Sequence, residues 1–137
     1  MKKLNKSELA IILEKRETGE MAGLSNTDLS GLDLSGLDLS NSDLSHSDLS
    51  DSDLRDSDFR DANLTSTSLP DSSWVILGEP YFIFIHDGFL RAGCECHGID
   101  SWRRFSVNDI LEMGGEKAVS FYPRLLKIID FYCGEEK

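Results

Sequence analysis

The chain is short of long apolar runs, of cysteine, and of positive charge in its middle third, and each shortage excludes something. No window of the 137 residues approaches the run of about 18 apolar residues that a membrane span needs, so no membrane partner is expected. The stretch MKKLNKSELAIILEKRE begins basic but has neither a clean apolar core nor a small-residue cleavage site. It reads as a helix rather than a signal peptide, and a cytoplasmic location is expected. Three cysteines, Cys94, Cys96 and Cys133, are an odd number, which argues against a disulfide framework and agrees with a reducing compartment. Residues 22–71 carry eleven Asp against two Arg, a net −9 of the chain's −11. Such a surface repels nucleic-acid phosphates, so no direct nucleic-acid binding is expected and the fitting partner is a protein with a basic surface.

What the sequence has in excess is a five-residue period. From Ala22 to about Asp71 a large apolar residue recurs at Leu24, Leu29, Leu34, Leu39, Leu44, Leu49, Leu54, Phe59, Leu64 and Leu69. Neither an α-helix at 3.6 residues per turn nor a strand at 2.0 has that period. Two residues before each centre the side chain is mostly small; one before, it is Asp from Asp28 through Asp58 and then Asn63. A chain that turns a corner every five residues closes a square in four units. The next layer then stacks at about 4.8 Å, with backbone groups paired between layers. The large residues would form columns along the axis, Leu24–Leu44–Leu64 and Leu39–Phe59 among them, with the aspartates outside.

The pattern A/S-D/N-L-x-x resembles that of the pentapeptide-repeat family. The resemblance implies a mainly β fold: a short right-handed quadrilateral β-helix of about 2.5 coils. A rod that short needs both ends covered. Residues 1–21 are expected to supply an N-terminal capping helix, with Asn5 and Glu8 as a capping box, Leu9, Ile12 and Leu13 on one face, and Gly19 as its stop. Leu32 and Leu37 break the small-residue rule in the first coil and are expected to meet that helix.

Residues 72–137 are expected to form an α+β unit. Tyr81–His86 and Phe89–Ala92 read as strands joined by an Asp87-Gly88 hairpin. DSWRRF reads as a helical turn capped by Asp100. Ser106 caps a further helix that ends at Gly114-Gly115, and a final amphipathic helix carries Pro123 as its kink. This half, with Gly93-Cys94-Glu95-Cys96-His97 followed by Trp102 and Phe105, is similar to the tails of phage and prophage pentapeptide-repeat proteins, and so is the leading helix ending in ILEKRE.

Candidate chemistry is sparse. Cys94 and Cys96, expected on one face of a strand, could ligate zinc with His97 and a fourth residue from His86 or Cys133, but the spacing matches no common knuckle. Cys94 with His97 could form a nucleophile–base pair, yet no orienting group or oxyanion site is legible. Core packing is the preferred reading of these residues, so no metal, no cofactor and no catalysis are expected. Trp102, Arg103, Arg104 and Phe105 place two cations between two aromatics, which suits a partner or a stacked ring; Cys94, His97, Trp102, Arg103 and Arg104 are the candidate C-terminal site.

The expected function is non-enzymatic binding: an inhibitor or adaptor, of phage origin, acting on a host protein. It would use an acidic face of Asp43, Asp48, Asp51, Asp53, Asp56, Asp58 and Asp61, or the C-terminal cap. Pairing of two copies through the C-terminal unit fits the same architecture. One alternative is suggested by the long members of the resembling family, which mimic duplex DNA and block topoisomerases. The other is a small-molecule or nucleotide site, binding or hydrolytic, around Cys94, His97 and Arg103.

Overall fold

The computed structural model describes residues 1–15 and 21–135. The middle of the chain is β-helix-like. Short strands β2 (Ala22–Gly23) and β4 (Ser42–Asp43) pair in parallel, Ala22 opposite Ser42. Further parallel bridges join Asp28 to Asp48, Asp33 to Asp53, Asp38 to Asp58, Asp43 to Asn63 and Asp48 to Ser68. Every one of these bridges spans twenty residues, so four five-residue units make one layer.

The period has its expected consequence for packing. The eight centres from Leu24 to Phe59 are fully buried, each contributing roughly 1.5–3 kcal/mol. The small residues Ser42, Ser47, Ser52 and Ser57 are buried beside them. Leu64 and Leu69 are only half-buried, because no full layer follows them.

The expected unit turned a corner every five residues without saying which residue makes it. The second residue after each centre from Leu24 to Leu64 has positive φ: Asn26, Asn41, His46, Asp51, Asp56, Asp61 and Ser66 lie at 53–60°, and Gly31 and Gly36 at 72°. Gly takes this left-handed conformation freely, Asn, Asp and His more readily than other residues, and Ser66 is the one further side chain held in it in this column. The corner dictates that column as strongly as the axis dictates the leucines.

Two structures cover the N-terminal end. Strand β1 (Lys2–Lys3) pairs in parallel with β3 (Thr27–Asp28), and Leu4 behind it is buried in the leucine core. Helix α1 (Lys6–Lys15) follows; Asn5 N–H donates to Glu8 Oε1 at 3.1 Å and Glu8 N–H to Asn5 Oδ1 at 2.8 Å, completing the capping box. Leu9 is buried, and Ile12, Leu13, Leu32 and Leu37 are half-buried on the same core. The expected helix stop at Gly19 lies outside the described residues.

At the other end stands a four-stranded antiparallel sheet, β5 (Ser73–Ile76), β6 (Ile83–His86), β7 (Phe89–Ala92) and β8 (Glu95–Gly98), in sequential order. Asp87 and Gly88 both have positive φ, as a two-residue hairpin demands. Strand alternation gives the sheet two working faces. Phe84, with Val75, joins the leucine core, and its ring meets Phe59 edge-on at 5.1 Å. Ile83, Ile85 and Leu90 point the other way, into a second core with α2 (Ile99–Arg104) and α3 (Val107–Cys133).

Three local expectations are corrected. Asp100 does not cap α2: Gly98 holds that position without a side-chain bond, and Asp100 sits in the first turn. Pro123 does not break α3. The departure from helical angles is at Gly115, with φ 71° and ψ −160°, because a glycine can take that backbone and the residues around Pro123 need not. Strand β6 begins at Ile83 rather than Tyr81. The Ser106–Asp109 capping box forms as expected, with bonds of 2.8 and 3.1 Å.

Candidate binding surfaces

The outward aspartates have structural work of their own. The Oδ1 of Asp28, Asp33, Asp43 and Asp48 accepts both the backbone N–H and the hydroxyl of the serine two residues on, at 2.9–3.1 and 2.5–2.6 Å. Asp53 and Asp58 accept instead from Arg55 and Arg60, each with a closest ion-pair contact of 2.7 Å. These are turns closed by the Asp side chain, repeated at every corner.

The bonds hold several carboxyls below their usual range. For Asp28, Asp33 and Asp43 the serine hydroxyl is the main cause and its backbone N–H the second. The Arg55 side chain holds Asp53 at about 2. Burial pushes Asp58 up, but the bonds from Arg60 outweigh it and the net shift is downward. A carboxyl depressed on folding stabilises the fold above its unfolded pKa, near 3.9, and ceases to do so as pH falls through its folded value. The midpoint of urea unfolding, followed by circular dichroism, should therefore hold above about pH 5. It should fall between about pH 4 and, for Asp53, about pH 2. Asp53→Asn should flatten the lower part of that profile.

The seven acids expected on one face do not share one. Since four units complete a layer, Asp43, Asp48, Asp53 and Asp58 stand at four successive positions around it. Asp51, Asp56 and Asp61 occupy the left-handed corners. Asp56 is drawn to Arg91, 3.3 Å away. Asp51 and Asp61 are exposed, with no hydrogen bond or ion pair among the described residues.

Arg91 was not foreseen. Its side chain is about 10% exposed. It points from β7 to the end of the coil, where Nε donates to Ser57 O at 3.0 Å and Nη2 to Asp56 O at 3.3 Å. One layer earlier the equivalent carbonyl, Leu37 O, is served by backbone: Asp58 N–H donates to it at 3.0 Å. Arg91 takes over where the next layer stops. The only sequence signal was an arginine in an otherwise apolar strand.

The C-terminal candidates are not gathered into one site. Cys94 and Cys96 were expected on one face and lie on opposite sides of the sheet, because Cys94 belongs to the turn before β8. Cys96 faces the coil, where burial, then Asp56, pushes its thiol up to about 11. Cys94 is exposed at the rim of a cavity between the sheet and α3. His97 Nε2 meets Glu95 Oε1 at 2.9 Å, and its ring stands edge-on to Trp102 and Phe105 at 5.1 and 4.9 Å. No hydrogen bond joins His97 to Cys94 among the described residues. Trp102 is buried, its indole N–H donating to Leu90 O at 2.8 Å. Arg103 pins the end of α3 through Asp130 at 3.4 Å and Gly134 O, while Arg104 is exposed. His86 shares a 2.8 Å hydrogen bond with Ser73 and is held below its usual pKa by burial. Among the described residues no group of three or more His, Cys, Asp and Glu is placed to hold a metal ion. No helix among them is long and apolar enough to cross a membrane.

The bridges twenty residues apart, with Asp-closed turns at each corner, decide what the middle of the chain is like. Residues 22–61 match the family model of pentapeptide repeats, in eight copies. The repeat architecture continues past the matched region, since Asn63 and Ser68 still bridge to Asp43 and Asp48. No curated protein and no solved structure was found to match the chain.

Proposed function

We propose that the chain is a non-enzymatic acidic binding protein, an inhibitor or adaptor of the phage type, acting in the cytoplasm on a host protein with a basic surface. Its scaffold on this reading is a right-handed quadrilateral β-helix of about 2.5 coils over residues 22–71. The N-terminal unit 1–21 and the α+β unit 72–137 cap it, and the latter is also the surface through which two copies would pair. The supporting observation is the state of the acids. Asp side chains tied at 2.9–3.1 Å into their own turns have little conformational freedom left to lose on binding. Asp51 and Asp61 add exposed charge at fixed corners.

Asparagine already occupies the left-handed corner at Asn26 and Asn41, so Asp51→Asn with Asp61→Asn removes charge without changing the fold. Affinity for the partner captured from host lysate should fall about two- to thirtyfold, from about 0.2–1 kcal/mol per exposed pair. The loss should shrink as salt is raised. Undiminished, salt-insensitive capture would refute the acidic-surface reading.

A DNA-mimic reading has one observation of its own: Asp33 stacks on Asp53, and Asp38 on Asp58. Layers about 4.8 Å apart give only two such acids per column, and they surround the coil rather than line two grooves. The ordinary protein-binding reading fits better.

A further inference from the structure

We propose that the C-terminal unit binds a small neutral aromatic compound, of the size of a single substituted ring, in the cavity between its sheet and α3. The proposal is independent of the acidic coil. The cavity holds about 170 Å³. Packed interiors contain few voids larger than a water molecule, and an apolar cavity of about 150 Å³ takes up benzene. Its floor is made of the buried side chains Trp102, Ile110, Phe121 and Leu125; exposed Cys94 and Gly114 mark its mouth.

Chemistry narrows the ligand further. The polar atoms at the floor are already engaged, the Trp102 indole N–H by Leu90 O and the Tyr122 hydroxyl by Trp102 O, while the Tyr81 hydroxyl and Glu95 also line the cavity, the hydroxyl beside Gly114 at the mouth. A charged or strongly hydrogen-bonding group placed at the floor would lose its water without replacement. Flat aromatic walls offer an aromatic guest edge-to-face contacts of the kind that Tyr81 and Phe121 make with each other at 5.4 Å. A polar ring substituent would point toward the mouth, where Cys94, Gly114 and the Tyr81 hydroxyl stand.

The cavity follows from the Gly114-Gly115 pair. Gly115, at φ 71°, breaks α3, and residues on both sides of the break line the cavity, Ile110 and Met113 before it and Ala118 and Phe121 after it. Gly114 carries no side chain because a Cβ there would stand 2.8 Å from Ala118 Cβ. Together they leave a mouth where a continuous helix would have placed side chains.

Benzene, titrated into the full ¹⁵N-labelled chain, is the probe. The Trp102 indole N–H resonance should shift in a saturable way while that of Trp74, on the edge strand, stays in place. The unfolding temperature should rise with benzene concentration as mass action requires. Ala118→Phe fills the mouth and should abolish both effects; Met113→Phe does the same from the other half of the helix and serves if the first variant does not fold. An unmoved Trp102 resonance, equal movement of Trp74, or an undiminished response in a folded filled variant would overturn the proposal.

Discussion

Leu49→Ala is expected to lower the free energy of unfolding by about 2–5 kcal/mol, read as a drop in the urea midpoint at unchanged slope. Leu49 is a fully buried centre in the middle layer, with Leu29 in the same column one layer before and Leu69 one after. Its neighbours are held by bonds between layers, such as Leu49 N–H to Ser68 O at 2.7 Å, so the coil cannot collapse inward to fill the void. That rigidity places the cost toward the upper part of the range. Leu69→Ala, at the half-buried end of the same column, should cost clearly less. Equal costs would mean that the layers do not support one another.

Arg91→Met is expected to cost about 1.5–3 kcal/mol, the range for hydrogen bonds to a charged partner. Methionine keeps much of the stem that crosses from sheet to coil and removes the guanidinium. Ser57 O then loses the donor that stands in for a missing layer, and Asp56 O loses its bond to Nη2. The Asp56 carboxylate itself is exposed and recovers water, so the loss lies in the two carbonyls. Arg91→Lys should restore only part, since a single ammonium cannot fork to both oxygens while also reaching Gly93 O, now 3.4 Å from Nη1. Hydrogen exchange should show residues 57–69 opening earlier in Arg91→Met, with β2 and β3 unaffected.

The parts of this molecule that were legible in its sequence are those governed by local spacing. Leucine every fifth residue sets the layers, Asn5 with Glu8 and Ser106 with Asp109 set two helix starts, and Asp87-Gly88 sets the hairpin. What escaped is either too short or too distant for spacing to show. Strand β1 has only two residues and thus no period, although Leu4 behind it completes the core. Arg91 serves a carbonyl 34 residues away. Cys94 and Cys96 are alternate in sequence, but a turn separates them and sends them to opposite sides of the sheet. The acidic residues were visible, and so was the four-unit layer that spreads them around the coil; grouping seven of them on one face ran against that layer count. The left-handed corner could have been read, since Asn, Gly, His and Asp alternate there with hardly a β-branched residue, and that restriction has a steric cause.

That corner has an evolutionary consequence. Asp, Asn, Gly, His and Ser, the residues found in it, are connected in the genetic code by single-nucleotide changes. The exchanges to and from Asp add or remove a charge, and none enters the interior. A lineage could therefore redraw the electrostatic pattern of this scaffold repeatedly, following a changing target, without passing through an unfolded intermediate sequence.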